Sequence, residues 1–162
     1  MQNIASPIVS VVGGSKSDFP LLRKSISILD EFGIPSELKV VSAHRTPDWL
    51  FQFAGDAEGR GTKVIIAGAG GAAHLPGMIA AKTVLPVIGV PVPLEHLKGM
   101  DSLLSIVQMP RGIPVATVAI AGAENAAILA LEIIGVNDLK VRNQLKEWRN
   151  KTTESVLSEN SA

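Results

Sequence analysis

Three short segments of polar and small residues hold the side chains best suited to chemistry: Gly14-Ser15-Lys16-Ser17-Asp18, Ser42-Ala43-His44-Arg45-Thr46-Pro47 and Gly68-Ala69-Gly70-Gly71-Ala72-Ala73-His74. Each stands before a helix-forming stretch, and backbone N–H groups at a helix N-terminus favour an anion, commonly phosphate. The Ser15 and Ser17 hydroxyls add donors, and Arg45 adds a planar charged fork suited to phosphate oxygens. Asp18 repels phosphate, which places it on neutral hydroxyls such as a ribose diol. The competing reading is that Ser17 and Asp18 simply cap the first helix. Two further loops of the same kind weigh towards binding. His44 lies in the second loop, and imidazole both gives and takes a proton near neutral pH. No nucleophile with an Asp or Glu orienter stands beside it, so a Ser-His-Asp triad is not indicated. Acid–base work is the role left for it.

Sharper motifs fit less well. Residues 68–73 match G-x-G-x-x-A, the dinucleotide fingerprint, which also wants an acidic residue at the end of the next strand. That strand ends Gly89-Val90-Pro91, with nothing to hold an adenosine ribose. The segment Gly14-Ser15-Lys16-Ser17 lacks the adjacent Gly-Lys-Ser/Thr and the earlier Gly of a P-loop. Among His44, His74 and His96 there is no metal-ligand spacing to another His or to a carboxylate pair, and cysteine is absent. No metal is expected. His96 reads as a surface residue, and Trp49 as helix packing. His74 opens a helix and serves either as a loop brace or as a wall of the site.

These loops need elements that bring them together. Short β-branched runs at residues 8–12, 37–41, 63–67, 87–90 and 115–120 read as strands. Helical spacing covers residues 19–32, 75–83, 102–107 and 123–134, with further helices from Pro47 to about 59 and from Leu139 to about 155. Gly33 fits the position just past a helix end, Thr46 is a capping residue before Pro47, and Asp101 can cap the fourth helix. Residues 157–162 read as a frayed tail. Uninterrupted Val/Ile strands are usually buried on both faces, as in parallel sheets covered by helices. Five βα units with right-handed crossovers give an α/β fold, a three-layer α/β/α sandwich. In an open parallel sheet ligands bind beyond the carboxyl ends of the strands, and the order 2-1-3-4-5 makes the three loops neighbours.

Composition bounds the function. A chain of 162 residues is about one domain, with its core at residues 8–155. Fifteen Lys+Arg balance 15 Asp+Glu, which argues against a nucleic-acid or anionic-membrane binder. Aromatics at 4% argue against stacking on bases. No apolar run of about 18 residues escapes interruption, and residues 1–6 lack the charged start and apolar core of a signal peptide. A cytoplasmic globular protein is expected. The apolar stretch 102–110 suggests a subunit contact.

Four stretches then resemble a known family: Gly14-Ser-Lys-Ser-Asp18, Val41-Ser-Ala-His-Arg-Thr-Pro-Asp48, Ala67-Gly-Ala-Gly-Gly-Ala-Ala-His-Leu-Pro-Gly-Met78 and Asp101-Ser-Leu-Leu-Ser-Ile-Val-Gln-Met-Pro110. In this order, over residues 8–148, they are similar to the 5-(carboxyamino)imidazole ribonucleotide mutases of purine biosynthesis. The resemblance implies a flavodoxin-like topology, a homo-octamer and a small-molecule ribonucleotide substrate, without metal or organic cofactor. It implies transfer of a carboxylate from the exocyclic nitrogen of an aminoimidazole ribonucleotide to ring carbon four. Ser15, Ser17 and Arg45 would hold the phosphate, Asp18 the ribose, and Ser42 with Gly70 and Gly71 the imidazole and its carboxylate. His44 would carry the travelling proton, with His74 counted in the substrate site. Transient contact with neighbouring pathway enzymes also belongs to this picture. Gly13 stands where the family usually has Met, and Phe19 where Trp is common. Pro93-Leu94-Glu95-His96 replaces a polar Gln-Ser segment, and residues 120–125 form a loop two residues short. Two alternatives stay open: a carboxylase using free CO2, whose histidine is typically followed by Lys-Gly rather than Arg45-Thr46, and a non-catalytic nucleotide-binding module.

Overall fold

The computed structural model describes residues 6–160. β1 (Val9–Gly13), β2 (Ser36–Val40), β3 (Val64–Gly70), β4 (Val87–Val92) and β5 (Ala116–Thr117) form one parallel sheet in the order β2-β1-β3-β4-β5. Between and after them run α1 (Phe19–Glu31), α2 (Pro47–Asp56), α3 (Leu75–Ala80), α4 (Met100–Val107), α5 (Ala123–Gly135) and α6 (Leu139–Glu159). Helices cover both faces of the sheet, which is why β1, β3 and β4 are apolar at nearly every position while the edge strand β2 is not. Side chains alternate between faces along a strand. On β3, Ile65, Ala67 and Ala69 join Leu50 and Phe53 of α2 and Ile79 of α3 in one core cluster. Gly68 turns the other way, towards Leu22 of α1.

Several boundaries differ from the sequence reading. β3 extends three residues into the stretch read as a loop, because Gly68, Ala69 and Gly70 pair with Val90, Pro91 and Val92. The glycine-rich loop is therefore only residues 71–74. Gly68 is a packing glycine: a Cβ there would lie 2.6 Å from Leu22 Cδ2. β5 shortens to two residues. Val118 and Ala121 still donate to the carbonyls of Gly89 and Pro91, but Pro91 has no N–H to continue a ladder. Gly33 sits just past α1 with φ +68°, the left-handed conformation expected of it.

Two expected caps are corrected. Thr46 occupies the N-cap of α2, yet its hydroxyl accepts from Ser42 N at 3.2 Å and donates to Ser42 O at 3.1 Å. It braces the loop and leaves the helix N–H groups uncapped by a side chain. Asp101 lies inside the first turn of α4, whose N-cap is Gly99 at φ +93°. At the C-terminal end, α6 continues to Glu159, beyond the fraying expected from residue 157. Residues 161–162 of that tail, and residues 1–5 of the segment read as no signal peptide, lie outside the described residues.

The chain groups into two compact units, one through Ala130 and one from Leu131 onwards. The first contains the sheet. Within the second, Arg142 Nε donates to Gly135 O at 2.7 Å, and Arg149 pairs with Glu132. Among the described residues no helix is long and apolar enough to cross a membrane.

Candidate active site

The first wall comes after β1. Gly13 ends the strand, and a single 3₁₀ turn, Lys16–Asp18, leads into α1. Ser15 caps that turn: its Oγ accepts from Ser17 N at 3.2 Å, while Asp18 Oδ2 accepts from Ser15 N at 2.9 Å. The reading of Ser17 and Asp18 as caps of the first helix is corrected: Asp18 stands at the N-cap of α1 without a side-chain cap bond, and the capping box it forms with Ser15 closes the 3₁₀ turn instead. Ser15 and Ser17 also share a bond between hydroxyls. Asp18 is almost wholly buried. That burial pushes its carboxyl above the ordinary 3.8, against the opposing pull of the Ser15 and Gly14 backbone and of Arg45.

The second wall comes after β2. Ser42 is buried, and its Oγ accepts from Arg45 N at 3.3 Å and from Arg45 Nε at 3.1 Å. Arg45 Nη2 donates to Gly14 O at 2.6 Å. The guanidinium thus ties the second loop to the first while the residue stays exposed. His44 Nε2 lies 2.7 Å from His74 Nδ1, with ring centroids 4.8 Å apart and planes at 90°. At that distance the two nitrogens share one hydrogen, one ring donating and the other accepting. His74 is a brace, but for the His44 ring rather than for a loop.

The third wall is the end of β3 together with the short turn into α3. All the predicted site residues except Gly71 line one cavity of about 380 Å³. Gly71 has φ +67°, and its N–H is engaged by Ser102 Oγ at 2.9 Å, which in turn donates to Val92 O at 2.7 Å. Its amide is committed to holding α4 against the strand ends. Leu94 joins the lining and was missed in the sequence. The only signal for it was the unusual segment 93–96. His96, as expected, is exposed. A larger depression of about 920 Å³ opens near the amino ends of β4 and β5, between Glu58, Lys82 and Pro114, away from these loops. Among the described residues no three His, Cys, Asp or Glu are placed to share a metal ion.

A doubly wound parallel sheet with serine, arginine and a histidine pair at its switch in strand order, between β1 and β3, defines a flavodoxin-like α/β protein with a small polar site. Residues 8–155 match the family model described as AIR carboxylase, and the chain belongs to that family. It is 62% identical to the N5-carboxyaminoimidazole ribonucleotide mutase of Pseudomonas aeruginosa, over 94% of each chain. The Bacillus subtilis mutase is 58% identical, covering 93% of this chain and 94% of that one. Among solved structures, Treponema denticola PurE superposes with a TM-score of 0.88 at 28% identity, covering 96% of this chain and 97% of the other.

Proposed function

We propose that this chain is an N5-carboxyaminoimidazole ribonucleotide mutase, an isomerase of purine biosynthesis. The observation that carries the reading is the meeting of His44, Arg45 and Ser42, from one loop, with Asp18 and Gly70 around a single cavity. Ser15, Ser17 and Arg45 hold the phosphate, and Asp18 accepts from the ribose hydroxyls. Ser42 and Gly70 receive the imidazole and its carboxylate. His44, protonated, gives its proton to the exocyclic nitrogen, the N–C bond breaks and CO2 leaves. Ring carbon four attacks the CO2, and His44 takes the proton which that carbon sheds. The histidine ends as it began, so the cycle consumes no acid, oxidant or cofactor. His74 walls the substrate site and holds the His44 ring. A second reading, carboxylation of the unsubstituted ribonucleotide by free CO2, is favoured by the family's own description. Turnover assays with each substrate separate the two. Product from the carbamate is expected; product only from the unsubstituted ribonucleotide plus CO2 would overturn the mutase reading.

The same reading makes the protein a cytoplasmic homo-octamer that meets neighbouring pathway enzymes transiently. Leu104 and Val107 on α4 are 58% and 45% exposed and offer apolar surface for subunit contact. Light scattering should give the mass of eight chains, and a clean monomer at micromolar concentration would sink this. Cell fractionation and crosslinking test the location and the contacts. We read the chain as one domain, so calorimetry should record one transition; a separate transition from the part after Ala130 would contradict it.

A further inference from the structure

We propose that Leu94 is the cover that keeps released CO2 inside the site until ring carbon four captures it. The proposal deepens the mutase reading and rests on it. Leu94 lines the cavity that holds His44 and Arg45, and it lies directly on the glycine wall. A Cβ built on Gly70 would stand 3.0 Å from both Leu94 Cγ and Cδ2, and one on Gly71 3.3 Å from Leu94 Cδ1. Only bare backbone permits this approach. Leu94 is nonetheless 46% exposed, so it forms a rim rather than part of the core. Its backbone is held firmly. Leu94 O accepts from Lys98 N at 3.0 Å, and Lys98 has φ +52°, a strained conformation for a residue with a Cβ. Gly99 is next in the chain at φ +93°, packed so closely that a Cβ there would lie 2.6 Å from Ile120 Cγ2.

Besides the buried Leu75, the rest of the lining is polar, as at Ser15, His44 and Arg45, or small, as at Ala43 and Ala72. CO2 is itself uncharged and a weak hydrogen-bond acceptor, so its retention depends on apolar walls and on the exclusion of water. Over Gly70 the side chain that does both is Leu94. Once the N–C bond breaks, two fates compete. Attack by ring carbon four forms the new C–C bond, whereas escape of CO2 leaves the unsubstituted ribonucleotide carrying the proton given by His44. Leu94 sets that ratio without taking part in either proton transfer.

The test compares intact wild type with Leu94→Ala, Leu94→Asn and Leu94→Met, after subtracting decay of the carbamate without enzyme. The readout is unsubstituted ribonucleotide released per product formed. Alanine opens the rim and asparagine fills it with a group that admits water. Both should raise the ratio by about tenfold or more, the low end of what a lost methylene in an apolar pocket is worth. Methionine, of similar volume and apolar, should keep the wild-type ratio. A thermal midpoint near wild type confirms folding, and the asparagine variant serves if alanine disturbs it. Unchanged ratios in alanine and asparagine variants, or a uniform loss of rate at an unchanged ratio, would overturn the proposal while leaving the mutase reading intact. Wild type that fails to consume the carbamate would overturn both.

Discussion

Removing the Arg45 guanidinium should weaken nucleotide binding while leaving the fold almost untouched. Arg45 spends two side-chain donors on the protein, Nη2 on Gly14 O at 2.6 Å and Nε on Ser42 Oγ at 3.1 Å. The remaining donors and the charge are available to a phosphate. A hydrogen bond to a charged group is worth about 1.5–3 kcal/mol, so Arg45→Ala should lower affinity by about 10- to 150-fold. Because Arg45 is exposed, its loop-bracing bonds compete with water, and stability should change by no more than about 0.5 kcal/mol. Arg45→Lys keeps the charge but cannot reach Gly14 O and Ser42 Oγ together, so it should recover only part of the loss. Calorimetric titration with the product nucleotide, and with its nucleoside lacking the phosphate, isolates the phosphate contribution. The affinity gap between the two ligands should shrink in Arg45→Ala. An unchanged gap would refute the phosphate role, and full recovery by lysine would refute the role of the planar fork.

Asp18 should make binding and stability respond to pH in opposite directions. Its raised pKa means the folded chain binds this proton more tightly than the unfolded chain. Its contribution to stability is therefore present below the ordinary 3.8 and is lost as pH rises through the raised value. The proposed contact with the ribose hydroxyls needs the carboxylate, so affinity should fall as pH drops through that same value, and Asp18→Asn should abolish both trends. Affinity independent of pH in wild type would contradict the assignment. Gly68→Ala should cost about 1–3 kcal/mol in urea unfolding, because the new Cβ overpacks against Leu22. A cost under about 0.5 kcal/mol would mean that this buried leucine moves aside. Treatment with a chelator should leave turnover unchanged, and a loss restored by one divalent ion would overturn the metal-free mechanism.

Strand order and the convergence of three loops were legible because Val/Ile runs punctuated by Gly and Pro leave few ways to arrange a parallel sheet. The limits of those loops were not. Gly68 and Gly70 carry the composition of a turn, yet their pairing with β4 and the approach of Leu22 and Leu94 make them strand residues. Thr46 has the right type for a cap, but Ser42 stands near enough to compete for its hydroxyl. Asp101 lost its cap to Gly99, whose positive φ starts α4 earlier. The His44–His74 bond joins residues 30 apart, and local spacing carries no information about such a meeting. Leu94 escaped for the same reason. An apolar residue in a loop acquires a meaning only when the chain places it over glycines from another strand.

The most direct test of the proton-shuttle mechanism is His44→Asn, measured for binding and for turnover in the same preparation. Asparagine keeps some of the size and hydrogen bonding but cannot exchange a proton near neutrality. General acid–base catalysis contributes about 10²–10⁴-fold, and in the proposed mechanism one residue serves two proton transfers, so the loss should reach the upper end. Affinity for the product nucleotide should stay within a few-fold of wild type, because the proposed phosphate and ribose contacts, from Arg45, the serines and Asp18, remain in place. Binding kept with turnover gone is the predicted result. Turnover within a few-fold of wild type would contradict it and pass the proton to another group, with His74, 2.7 Å away, the first to examine.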